Sequence, residues 1–339
     1  MAPRRFTAET TATELVADLA ANIKGKVILT TGPSPKSLGE AFVKSIAKAS
    51  PALLILAGRD TAKLEQTAQA IHSENPDVQT RLLQLKLDSL TAVRKAAEVV
   101  LNEWTDVPLI DVVVNNAGIM ATPFRLTEDG YESQFATNHL GHFLFTNLIM
   151  PKILASKSPR VVNIASDAHR FSPIRWGDIH FNRPDKDGEE SKPKYYNKWR
   201  AYGQSKTANM LYTLSLAEKL GGKGLQAYSV HPGVISTNLD SSIADWEEDM
   251  VALTEVDRWG LGNLTAWDEL KFRSHDQGVA THVFAAFEAS LGEKNGAYLL
   301  DAHVADPATE EYVPWARDSV SAENLWKLSE ELVGQKFEF

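Results

Sequence analysis

Tyr202 and Lys206 stand four apart in the run YGQSK, so on a helix they share one face a single turn apart. An isolated phenol titrates near pH ~10 and is a poor proton donor or acceptor at neutrality. A neighbouring ammonium favours the phenolate and moves the pKa toward the working range, which gives this spacing a chemical meaning. The pair alone is a weak signal, because many helices carry one by chance. Here it opens a helix that follows an apolar segment, RVVNIAS (160–166), ending in Ser166. A second stretch, TTGPSPKSLGEAF (30–42), joins an apolar run to a helical pattern, where a dinucleotide-binding turn would place its glycines. It has Gly32 and Gly39 but none between them.

Apolar, β-rich runs at 26–31, 52–57, 81–87, 111–116, 160–166, 225–231 and 297–301 alternate with helical patterns at 39–49, 60–73, 90–104, 130–156, 201–220 and 276–290. The runs are apolar on both alternations, as suits strands covered on both faces. Alternating β and α predicts parallel strands with right-handed crossovers: an α/β, Rossmann-type doubly wound sheet, mainly parallel and seven-stranded. Ligands of such sheets bind beyond the carboxyl ends of the strands. Those ends read Gly58-Arg59-Asp60, Leu87-Asp88, Asn115-Asn116-Ala117-Gly118, Ser166 and His231-Pro232-Gly233.

Two stretches, 167–200 and 235–275, break the rhythm and read as substrate lids in one domain spanning 1–339. They hold Trp176, Trp199, Trp246, Trp259 and Trp267, which would either pack the lid to the body or line an apolar pocket. Within them DKDGEESKPK (185–194) reads as an exposed loop tip and Glu247-Glu248-Asp249 as a solvated face. Residues 1–24 form an extension with a short amphipathic helix, Thr13 to Ile23, and 302–339 form a C-terminal one.

A hydrophobic fraction of 43% is ample for a core, and a net charge of −9 argues against a nucleic-acid binder. The absence of cysteine excludes disulfides and thiolate metal sites. No run is long enough to span a bilayer, and the N-terminus lacks the apolar centre of a secretory signal, so the expected compartment is the cytoplasm. His139 and His142 lie three apart, a spacing compatible with metal, but no further ligand cluster accompanies them and no metal is expected. His231 reads as structural.

NNAG at 115–118, Asn138 in ATNHLGHF, Ser166 in VVNIAS, YGQSK at 202–206 and HPG at 231–233 occur in an order that resembles the short-chain dehydrogenase/reductase superfamily. The resemblance covers 25–235 well and the C-terminal third more loosely. The long spacing from Ser166 to Tyr202, and LWKLSEELVG at 325–334, are similar to its retinol-dehydrogenase-like and WW-domain-oxidoreductase-like branch. The resemblance implies that Tyr202 protonates a carbonyl oxygen or deprotonates an alcohol, with hydride leaving from the 4-pro-S side of a nicotinamide. Lys206 would lower the pKa of Tyr202 and hold the nicotinamide ribose. Ser166 would bond the reacting oxygen, and Asn138 would anchor a water relaying protons from Lys206. Gly32, Ser37, Leu38 and Gly39 would form the phosphate turn. Asn116, Ala117 and Gly118 would line the adenosine ribose and the central strand, Asp88 would contact adenine, and Val234 and Thr237 after Pro232-Gly233 would meet the carboxamide. Asp88 has a second reading as an N-cap. Relatives often pair through the helices corresponding to 130–156 and 201–220, which leaves a homodimer open.

In the phosphate turn Ser37 stands where the middle glycine belongs, with one extra residue before it; its hydroxyl could reach a phosphate. Lys36 before it, and Arg59 where an NAD enzyme would carry an acid, point to NADP(H), with Asp60 as a complication. The expectation is an NADP(H)-dependent carbonyl/alcohol oxidoreductase with a small-molecule, bulky apolar substrate. A cofactor-sensing scaffold, or a non-redox isomerase or cyclase, would keep the fold without hydride transfer.

Overall fold

The structure, a computed structural model, describes residues 6–182, 196–243, 245–260, 262 and 271–339. The stretch DKDGEESKPK and Trp267 lie outside the described residues. Seven strands run parallel: β1 (Val27–Thr31), β2 (Leu53–Gly58), β3 (Thr80–Gln84), β4 (Val112–Asn115), β5 (Arg160–Ile164), β6 (Gln226–His231) and β7 (Tyr298–Leu300). The sheet order is β3-β2-β1-β4-β5-β6-β7-β8, so the winding reverses between β1 and β4. The eighth strand, β8 (His303–Val304), is antiparallel to β7 and corrects the expected count of seven. It follows a tight reversal at Asp301 and Ala302, whose φ angles are 50° and 55°. Two residues are too few to give a readable period.

Successive residues of the central strands enter opposite cores. Leu29, Val113 and Val161 pack with the helices of one face, and Ile28, Val112, Val114 and Val162 with those of the other. That two-sided burial is the cause of the unbroken apolar runs in the sequence.

The region expected as one helix over 130–156 is four pieces: Ser133–Phe135, a wide π turn at Ala136–Leu140, Gly141–Leu148 and Met150–Leu154. Such wide turns in helices mark functional sites often enough to be informative, and this one carries Asn138. The helix bearing Tyr202 runs from Lys198 to Leu220, three residues earlier than its apolar pattern begins, because Asn197 caps it by accepting from the Trp199 and Arg200 amides. A C-terminal helix, Ser319–Val333, lies against it: Trp326 packs on Phe143 and Tyr212, and Ser215 Oγ donates to the Ala322 carbonyl at 2.9 Å. The faces expected to carry a homodimer are thus in contact with the chain's own C-terminal extension.

The turn after β1 resolves the missing glycine. Gly32 has φ +70°, and a Cβ there would stand 2.9 Å from Ala117. The extra residue moves the next left-handed conformation onto Lys36, at φ 64°, so Ser37 is extended at φ −99° and needs no glycine. Ser37 Oγ instead accepts from the Glu40 amide at 3.1 Å and donates to the Gly32 carbonyl at 3.1 Å, capping the helix Leu38–Ala47 and closing the turn. Gly39 is buried beneath it, where a Cβ would lie 2.7 Å from Asn116 Nδ2 and 2.8 Å from the Gly32 carbonyl oxygen. Replacing Gly39 with Ala should therefore destabilise the fold by about 1–3 kcal/mol, as overpacking does, measured as a lowered denaturant midpoint with unchanged slope.

Candidate active site

The ends of β1, β2, β4, β5 and β6 surround a cleft of about 620 Å³. Gly32, Ser37 and Leu38 line it from the first turn, Arg59 from β2, Asp88 after β3, and Asn116, Ala117 and Gly118 from β4. Ser166, Tyr202 and Lys206 close its inner end, with Pro232, Gly233, Val234 and Thr237 on the β6 side. Three expected residues lie elsewhere. Gly39 sits under the turn, Asn138 is 1% exposed and outside the wall, and Lys36 is exposed and not part of the wall.

The turn after β4 is fastened by one hydroxyl. Thr31 Oγ accepts from the Asn116 and Ala117 amides at 3.0 and 2.9 Å, so its own proton goes to His142 Nε2 at 2.9 Å. His142 Nδ1–H then donates to the Asn138 carbonyl at 3.1 Å, and burial pushes the ring down to about 4, keeping it neutral. His139 is bonded to Ser329 at 2.8 Å in the same core. Both histidines of the spaced pair are therefore committed to packing.

Asn138 holds the turn from the other side. Its amide donates to the Ile119 carbonyl and to Ser205 Oγ, each at 2.9 Å, while its side-chain oxygen accepts from the Ile119 amide at 2.8 Å. Its backbone carbonyl accepts from Asn209 Nδ2 at 2.8 Å as well as from His142. A water anchored by Asn138 would have to share these atoms.

Lys206 is 4% exposed, and its ammonium donates to the Ile164 carbonyl at the end of β5 at 2.8 Å. Its Nζ lies 5.4 Å from the centre of the Tyr202 ring. Burial lowers the Lys206 pKa to about 7. Burial also pushes the Tyr202 phenol up, with Asp167 and Asp240 adding to the rise, while a hydrogen bond with Ser166 pulls it back. Desolvation, rather than the lysine charge, thus dominates the phenol in this state, and it is protonated at neutral pH. Ser166 is placed by the turn Asp167–Phe171, whose Ala168 amide donates to its Oγ at 3.1 Å.

The outer end of the cleft carries Arg59 and, in the first turn of the next helix, Lys63, which belongs to no sequence motif. Asp60, the complication, caps that helix by accepting from the Lys63 amide at 3.2 Å. Asp88 is not an N-cap: Ser89 takes that place, and Asp88 pairs with Arg125 at 3.3 Å on the cleft wall. His231, expected as structural, lines the cleft and accepts from the Asp167 amide at 3.2 Å. The stretch expected as a lid, 235–275, adds Trp246, Met250, Leu253 and Phe272 to the wall, and Trp199 joins them; Trp176 is 48% exposed and does not. The acidic run 247–249 is only partly a solvated face: Glu247 and Glu248 are exposed, whereas Asp249 is 4% exposed and paired with Lys198.

The profile of the short chain dehydrogenase family matches residues 26–177. Retinol dehydrogenase 12 of Mus musculus is 32% identical over 318 residues, spanning 93% of this chain and 89% of that protein. A chloroplastic short-chain dehydrogenase of Brassica napus, TIC 32 A, is 34% identical over 314 residues, spanning 90% and 88%. Among solved structures, an uncharacterized protein from Mycobacterium paratuberculosis superposes with a TM-score of 0.67 at 29% identity, covering 94% of this chain and 98% of its own. With the cleft, the strand order and these relatives together, the chain belongs to the short-chain dehydrogenase/reductase superfamily of oxidoreductases, in its retinol-dehydrogenase-like branch.

Proposed function

We propose that this protein is an NADP(H)-dependent oxidoreductase that interconverts a carbonyl and an alcohol on a bulky apolar substrate. The carrying observation is the meeting of Ser166, Tyr202 and Lys206 at the inner end of a cleft whose outer end presents Arg59 and Lys63. A dinucleotide fits the cradle on the ground that Gly32 and Gly39 leave no room for a Cβ beneath it and the helix Leu38–Ala47 offers its N-terminus there. When bound, the nicotinamide supplies or takes the hydride.

Tyr202 holds its proton at neutral pH, the form that can donate to a carbonyl oxygen. Ser166 shares a hydrogen bond with that phenol and can bond the same substrate oxygen, fixing its approach. Lys206, with a pKa of about 7, is poised to gain or lose a proton near neutrality and faces the phenol ring. Met120, Phe171, Trp199, Met250 and Leu253 give the substrate end an apolar lining and keep water from the reacting oxygen. The scaffold reading drew its support from the altered glycine turn; with Ser37 extended and serving as a cap, that support weakens.

Arg59 and Lys63 are the groups we assign to a 2′-phosphate. Asp60 caps the helix by accepting from the Lys63 amide and stays on the same stretch of wall as the two cations. Lys36, outside the wall, has no part in this assignment.

Tyr202→Phe should lower turnover of a carbonyl panel at least ~100-fold while NADPH affinity stays within about threefold; retained turnover would remove Tyr202 from this role. The double variant Arg59→Ser, Lys63→Ser should weaken NADPH binding by at least about tenfold and leave NADH nearly unchanged, whereas Lys36→Ala should alter neither, as read by fluorescence titration.

A further inference from the structure

The turn that places Ser166 is held by a buried charge that also reaches the lid. Arg170, four residues after Ser166, has a side chain 3% exposed. Its guanidinium meets Asp257 of the lid through Nε at 3.1 Å and Nη2 at 3.1 Å, and the Asp257 side chain is 1% exposed. Asp167 of the same turn lies 3.8 Å away, and Glu311 from the C-terminal segment also pairs with it. Three separate stretches of chain therefore converge on one cation. A guanidinium removed from water must be paired, and its planar fork fits a carboxylate from one direction only.

The turn passes this placement to the catalytic helix. His169 Nδ1–H donates to the Ser166 carbonyl at 2.7 Å, and Thr207, the residue after Lys206, donates to the carbonyls of His169 and Ser172 at 2.9 and 2.8 Å. Leu253 and Val256 of the lid pack in one cluster with Ala168, Phe171, Trp199 and Tyr202. A second ion pair, Lys198 with the buried Asp249, ties the lid to the helix one turn before Tyr202.

We infer that Arg170 is a positioning residue: by binding Asp257 it makes seating of the lid and placement of Ser166 a single event. The lid carries the ligand-facing Met250 and Leu253, so a substrate that seats it also sets the hydroxyl beside Tyr202. The kinetic part rests on the hydride-transfer reading; the structural coupling does not.

The test uses the full-length protein with NADPH, comparing Asp257→Asn, Arg170→Met and Arg170→Lys. In Asp257→Asn, amide hydrogen exchange should rise about tenfold in both 246–258 and 166–171 while the cradle 32–47 stays unchanged. With decanal as probe, kcat should fall about tenfold while KM for NADPH stays within about twofold, with Arg170→Met following suit and Arg170→Lys recovering part of the loss. Faster exchange confined to the lid, a uniform rise across the protein, or an unchanged kcat despite a loosened lid would each overturn the inference. If Arg170→Met does not fold, the near-isosteric Asp257→Asn still decides it. If the wild-type protein turns over no carbonyl, the hydride-transfer reading fails while the exchange result alone decides the coupling.

Discussion

A lysine kept almost wholly from water constrains this molecule. Where solvent barely reaches, Lys206 donates to the carbonyl of Ile164 at the last residue of β5. That bond ties the helix Lys198–Leu220 to the end of the strand, and so Tyr202 to Ser166, two residues beyond Ile164. The neighbouring turn is then held by two polar side chains, Thr31 Oγ on one side and Asn138 on the other, each making several bonds to main-chain groups. The polar groups gathered at the carboxyl edge of the sheet are there less to stabilise than to specify. Each is bonded in one way, and a shift in any would leave a buried group unpaired.

The same logic extends to the substrate side. Above the cradle the chain uses apolar contacts, Leu253 and Val256 against Phe171 and Trp199, with ion pairs at the margin. Apolar packing brings residues 246–258 down without fixing their angle; the Arg170–Asp257 ion pair, with its Nη2 hydrogen bond, adds a direction.

Much of this was legible in the sequence because it rests on period and order. The seven parallel strands followed from apolar runs that show on both alternations, and the edge on which function gathers followed from parallel connection. Tyr202 and Lys206 could be read together because their spacing puts them on one helix face, and Ser166 because it ends a strand; the structure brings the three to one cleft. The rest depended on long-range pairing, which leaves no local trace. Lys63 is an ordinary helical lysine until the fold brings the start of its helix to the cleft. Asp249 looks solvated within an acidic run, yet pairs with Lys198 some fifty residues earlier. Lys36 adjoins Ser37 in sequence, yet it takes a left-handed backbone and is absent from the wall that Ser37 lines. The odd glycine turn could be read as lengthened, but its solution, a capping serine in extended conformation, needed backbone angles.

On the reading proposed above, Tyr202, Ser166 and Lys206 serve direct hydride transfer from the 4-pro-S side of a nicotinamide to a carbonyl carbon. The most direct measurement is a single turnover with NADPH deuterated at the 4-pro-S position and an apolar aldehyde, followed by mass analysis of the alcohol. The account predicts one deuterium on the carbinol carbon of the product. An unlabelled alcohol, or oxidised cofactor that retains the label, would contradict it.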